Sequence, residues 1–113
     1  VDVIAPGEDI LSLRAAGTDL YADVGEPGVH VVDGDYLIAS GTSMAAPHVT
    51  GVVAMCVQRY ITTHGGSYSR TDNYSAIIGS VLSGSASYAS LAGKVASQRM
   101  LNAPGALTAV PVP

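Results

Sequence analysis

The chain has no tryptophan, no phenylalanine and one cysteine, and only 12% of its 113 residues are charged. Each shortage excludes something. A single cysteine, Cys56, rules out an intrachain disulfide; with no histidine partner near it in sequence, it reads as a small buried hydrophobe. Five Lys and Arg, scattered without a stripe, leave no electrostatic footprint for a nucleic-acid partner. No apolar run reaches the roughly 18–20 residues of a membrane span, and no His/Cys spacing suits zinc. What the chain does have is apolar material, 48% of its residues, under a net charge of −4. That composition fits either a small Ala-, Gly- and Ser-rich domain or part of a larger body whose surface is meant to be covered. The second would be sticky and fold poorly alone.

One stretch organises the rest: Ser40-Gly41-Thr42-Ser43-Met44-Ala45-Ala46-Pro47-His48-Val49-Thr50-Gly51. Tyr36 to Ala39 reads as a short strand before it, and an apolar run to Ile61 reads as a helix after it. The helix is expected from about Ser43 to about Thr62, with Thr42 or Ser43 as N-cap. Gly41 frees the backbone at the elbow. A hydroxyl at that point faces unpaired N–H groups and the positive end of the helix dipole, where an oxyanion would be stabilised.

This stretch resembles the nucleophile motif of the subtilisin-like serine peptidases, the subtilases, over twelve contiguous residues. Val1-Asp2-Val3-Ile4-Ala5-Pro6-Gly7 resembles the strand and turn before that motif. Leu91-Ala92-Gly93-Lys94-Val95 and Leu101-Asn102-Ala103 resemble the family's C-terminal segment. Met100 departs from the family's usual Arg, and Gln98-Arg99 from its common Gly-Gly. The resemblance implies an α/β fold: the C-terminal portion of a three-layer architecture, with a parallel sheet and a buried serine-bearing helix. It implies that residues 1–113 are one partial catalytic domain, incomplete at the N-terminus. It also implies a serine endopeptidase with Ser43 as nucleophile, the Ser43 amide as one oxyanion donor, and Thr42 and Met44 flanking the site. The family's Asp-Ser/Thr-Gly and His-Gly-Thr-His motifs, and its oxyanion-hole Asn, do not occur here. The chain alone is therefore expected to be inactive, and to need a segment carrying Asp and His. The alternative is a non-catalytic structural piece, or a scaffold for an N-terminal partner chain. Rival motifs fail: Gly-x-Ser-x-Gly meets Ala45, and Ser-x-x-Lys meets Ala46.

The histidines do not supply a base on this reading. His48, five residues beyond Ser43, is about 140° around a helix and is expected in the helix packing. His64 is roughly 30 Å along the same helix. His30, in the expected hairpin 29–32 with 36–39, is geometrically conceivable. A hydroxyl without an oriented base is a poor nucleophile, and loss of one oxyanion donor alone costs about 10²–10³ in rate. Structural calcium belongs to the complete family domain by resemblance. Asp33 and Asp35 are the nearest carboxylate pair here, too few for a site of about 6–8 oxygens. The resemblance implies protein or peptide substrates and secretion.

The remaining expectations are local. Val1 to Ala5 is read as a buried strand and Asp9 to Leu13 as a second extended piece. Asp33-Gly34 reads as a hairpin turn. His64-Gly65-Gly66 should stop the first helix. A second helix is expected from about Tyr74 to Leu82, capped by Asp72 or Asn73. A last short helix should start at Asn102 or Ala103, with Pro104 in its first turn.

Overall fold

A computed structural model describes residues 1–15 and 18–113, with the side chains of Arg70 and Asp72 outside the description. The chain is mixed helix and sheet, consistent with the α/β class, and falls into two compact units: Pro6–Ala46, and Val1–Ala5 with Pro47–Pro113.

The first unit holds a three-stranded sheet of β1 (Ile10–Leu13), β2 (Val31–Val32) and β3 (Tyr36–Ala39) in the order β1-β3-β2. Both pairings are antiparallel, Ile10 opposite Ala39 and Val32 opposite Tyr36. The hairpin closes at Asp33 and Gly34, with φ of 50° and 76°; aspartate and glycine are the residues that reach this left-handed region at least cost. The first hairpin strand is shorter than 29–32. The N–H groups of Val29 and Val31 are taken by the carbonyls of Glu26 and Gly28, so the chain is still turning at His30. Asp19 braces this preceding loop: its carboxylate accepts from the N–H of Gly28 (2.8 Å) and of Tyr21 (3.1 Å).

The second unit is built on helices. α1 (Thr42–Thr63) enters it from the first unit; α2 (Arg70–Gly84), the short antiparallel pair β4 (Ala86–Ser87) and β5 (Arg99–Met100), and α3 (Ala103–Thr108) follow. Its core is Val52 and Cys56 from α1, Ile77 and Val81 from α2, and Ala106 and Val110 around α3. The pairs on α1 and α2 are each spaced i, i+4, so both members lie on one helical face, and Val110 lies two residues past the end of α3. α2 and α3 meet backbone to backbone at Gly84 and Gly105, where a Cβ on either would overlap the other's main chain. Ser80 Oγ, buried, donates to the carbonyls of Ala76 (2.7 Å) and Ala109 (3.2 Å). Arg99 departs from the family pattern, yet its guanidinium closes the end of α2, donating to the carbonyls of Leu82 (2.9 Å), Ser83 (2.8 Å) and Ser85 (3.2 Å). Leu82 and Ser83 lie in the last turn of α2, at the negative end of its dipole, and the Leu82 carbonyl also accepts from the Ser85 N–H at 3.3 Å.

Several expectations are corrected. Val1 to Ala5 is not a strand: it makes one parallel bridge, Ile4 to Met100, and Val1 is 89% exposed. That bridge is the single parallel pairing among the described residues, whose sheets are otherwise antiparallel. α1 is not buried along its length. Val52 and Cys56 are covered, whereas Met55 is 43% exposed, because α2 and α3 cover one face only. α2 starts at Arg70, four residues early. Asn73 lies within it, accepting from the Ser69 N–H (2.9 Å) and donating to the Tyr60 hydroxyl (2.8 Å). The Asp72 side chain lies outside the described residues. Other local signals hold: Gly65 and Gly66 take φ of 75° and 94° at the end of α1, and Asn102 caps α3, accepting from the Gly105 N–H at 3.3 Å.

Candidate active site

Ser43 sits where β3 gives way to α1. The Gly41 carbonyl accepts the first helical hydrogen bonds, from the N–H of Met44 (3.0 Å) and of Ala45 (3.3 Å). Gly41, not Thr42 or Ser43, is therefore the N-cap, and its φ of 151° explains why: the elbow needs a backbone conformation that a Cβ disfavours. Thr42 and Ser43 become the first two helical residues. Their N–H groups precede the first intrahelical bond and have no helical acceptor. Thr42 and Ser43 are exposed and Met44 is half-buried. Among the described residues, no hydrogen bond engages the Ser43 hydroxyl. Pro47, the sixth helical residue, carries no N–H, so the Ser43 carbonyl four residues before it receives no donor from that position.

Two contacts hold the elbow, and sequence reasoning missed both. The Gly41 N–H donates to the Gly7 carbonyl at 2.6 Å. A Cβ on Gly7 would stand 2.8 Å from the Gly41 carbonyl oxygen and 3.1 Å from the Ala45 Cβ. Beside it, Ser40 Oγ accepts from the Asp9 N–H at 2.8 Å while Asp9 holds φ of 51°. The Pro6-Gly7 turn was the one available signal, since a glycine after proline marks a tight approach as readily as a simple turn.

The histidines lie elsewhere or are engaged. His30 Nε2 is 2.9 Å from Glu26 Oε2, and its ring lies against Tyr21 with centroids 4.0 Å apart. His64 follows the C-terminus of α1. Its ring stacks on Tyr60 at 3.8 Å and 6°, and its Nδ1 is 3.0 Å from the Tyr60 carbonyl. His48 is exposed, not enclosed in helix packing as expected, because α2 and α3 cover a different stretch of α1.

The electrostatics are uneven. The unit carrying Ser43 holds seven of the nine acidic residues and one of the five basic ones, a net −6; the remainder of the chain is left at +2. Backbone donors from Gly28 and Tyr21 hold the Asp19 carboxyl below its usual range, and burial pushes the Cys56 thiol up. No group of three His, Cys, Asp or Glu side chains converges among the described residues. No helix among them is long and apolar enough to cross a membrane.

Comparison with known proteins places this geometry. Residues 1–100 match the Subtilase family. The chain is similar to the extracellular serine protease of Serratia marcescens, 38% identical over 81 residues, covering 67% of this chain and 7% of that protein. It is similar to the intracellular serine protease of Paenibacillus polymyxa, 43% identical over 58 residues, 51% of this chain and 13% of that protein. It is also similar to subtilisin-like protease 1 of Plasmodium berghei (strain Anka), 40% identical over 53 residues, 43% of this chain and 9% of that protein. A solved chain from the subtilase cytotoxin SubAB assembly superposes with a TM-score of 0.60 at 28% identity, over 96% of this chain and 26% of that one. The matches thus span between 7% and 13% of the length of these relatives. With a family match that runs through nearly the whole sequence, and relatives named as serine proteases, the chain belongs to the subtilase family.

Proposed function

We propose that this chain carries the nucleophile of a serine endopeptidase, and that Ser43 acts when a histidine and an aspartate are supplied by a segment outside it. The observation that carries the reading is the elbow. Ser43 is the second residue of α1, exposed, with its N–H ahead of the first helical bond. In the reaction, Ser43 Oγ attacks the scissile carbonyl and its proton passes to the supplied histidine. The carbonyl oxygen, now an oxyanion, is held in part by the Ser43 N–H. The C–N bond breaks, the amine leaves with that proton, and water then cleaves the ester. Thr42 and Met44 flank the reacting centre. Substrates are proteins or peptides. Relatives named as extracellular proteases favour secretion, and a structural calcium would draw on residues outside the described carboxylates.

Residues 1–113 would then be the C-terminal part of one catalytic domain, and the parallel sheet that covers α1 would be completed by the supplied segment. The exposure of Met55 on α1 favours this, because an apolar helix face is covered in the mature body. A non-catalytic scaffold is the second reading. It is favoured by a core built wholly from residues beyond the elbow.

The test is labelling by a fluorophosphonate probe with Ser43→Ala as control. The chain alone should not label. Addition of a subtilase segment carrying the Asp and His motifs should restore labelling that Ser43→Ala abolishes. Labelling that persists in Ser43→Ala, or none from a folded complex, would leave the scaffold reading.

A further inference from the structure

β1 is an edge strand whose outer side carries no pairing strand among the described residues. Edges are usually blunted by lysine, proline or a bulge, but Ile10-Leu11-Ser12-Leu13 has none of these. Leu11 and Leu13 are instead 54% and 79% exposed, and they share one face with Ile38 and Tyr36 opposite them. At the end of the strand a recess of about 400 Å³ is walled by Leu13, Leu20 and Leu37, with Asp19 and Asp23 on its lining. The one basic side chain there, Arg14, already donates to the carbonyls of Gly34 (2.9 Å) and Thr18.

We propose that the outer edge of β1 is a docking strand for an extended substrate segment bearing apolar and basic side chains. This rests on the peptidase reading above and names its substrate class. Strand addition would satisfy the free main-chain groups, and alternate side chains would meet Leu11, Leu13 and the recess. An alkyl stem with a cationic head, as in lysine or arginine, suits leucine walls beside carboxylates. Charge selects the occupant. The unit's net −6 attracts a cationic segment and repels a second copy of the same edge. The position is useful to Ser43. Ile10 lies opposite Ala39, and strands are spaced about 4.8 Å apart. A segment on the outer edge would therefore run roughly 10 Å from the line of β3, beside the backbone that enters the elbow.

The experiment is fluorescence anisotropy with the intact chain and two labelled peptides of about ten residues, one alternating Leu and Lys, the other Leu and Glu. A third peptide repeats the Leu/Lys sequence with alternate backbone nitrogens methylated, which removes strand hydrogen bonds without touching the protein. The Leu/Lys peptide should bind at least about tenfold tighter than the Leu/Glu peptide. That advantage should shrink as salt rises from about 0.05 to about 0.2 M. N-methylation should weaken binding by about tenfold or more, and Leu13→Lys should weaken it in a protein whose circular dichroism is unchanged. Equal affinity for both charge series, affinity unaffected by N-methylation, or binding of neither would overturn the proposal. So would a dimer in sedimentation that Leu13→Lys dissociates, which would assign the edge to a second copy. None of these readouts needs turnover. Absent labelling of Ser43 in the folded complex with the segment carrying Asp and His, with peptide binding to the chain intact, would remove the peptidase reading and leave the docking strand.

Discussion

The two units of this molecule differ in what holds them. Around α1, α2 and α3, burial does: Ile77, Cys56 and their neighbours form a buried apolar cluster, and two glycines let α2 and α3 touch. Around Ser43, Ala39 is the one buried apolar residue among those described in its unit, and Leu11, Leu13, Leu20, Val24 and Val29 are exposed. That unit is held by main-chain pairing and by single hydrogen bonds such as Ser40 with Asp9 and Asp19 with Gly28. The difference teaches that the chain keeps its packed core and the proposed nucleophile in separate places. The helical part is built like a core, and the serine-bearing part like a surface.

The comparison can be broken most severely at Gly105→Val. A side chain there overlaps the Gly84 backbone, which cannot yield, so α3 must leave α2. The expected loss is above about 4 kcal/mol, enough to abolish a cooperative transition in denaturant. Ile77→Ala comes next, at about 2–5 kcal/mol by urea unfolding, because it opens a cavity in a fully enclosed site. Its counterpart Leu13→Ala, exposed in the other unit, should stay within about 0.5 kcal/mol; an equal cost for both would erase the contrast. Arg99→Ala removes a charged cap from the end of α2 and should cost about 1–2 kcal/mol. It should raise amide exchange in the last turn of α2 before that of its centre. The smallest effect is acid-linked. Asp19 has its carboxyl lowered from 3.8 by the Gly28 and Tyr21 N–H groups, so its contribution is present above that value and lost as pH falls through the folded pKa. NMR amide shifts of Gly28 should follow that titration, and Asp19→Asn should remove it with global unfolding nearly unchanged.

Legibility followed the range of each signal. The Asp33-Gly34 turn, β3, the span of α1 with its Gly65-Gly66 stop and α3 with Pro104 were readable because the residues that decide them are neighbours. The strand at Val1–Ala5 was not, because apolar β-branched residues specify a strand only where a partner strand lies along them, and Ile4 finds one bridge. The start of α2 escaped because Asn73 answers to Ser69 and Tyr60, the latter thirteen positions away. At the site, Ser43 was marked by its motif. The cap was misplaced by one residue or two, since a glycine at φ of 151° outranks a hydroxyl when the backbone itself must turn. The exposure of His48 depends on where other helices pack, which helical spacing does not reveal.

The clasp at the elbow joins distant parts of the sequence, with Asp9 and Ser40 separated by 31 positions. Helix formation is local and fast, within about a microsecond for a segment of some twenty residues, whereas closing a long loop carries an entropic cost that must be met before its contacts form. α1 can therefore be present, with Ser43 already at its end, while Gly41 is still unclasped and the serine still misaimed. For this chain, forming the helix and seating the serine are two events in time, and the second waits on the return of the Gly7–Asp9 turn from more than thirty positions earlier.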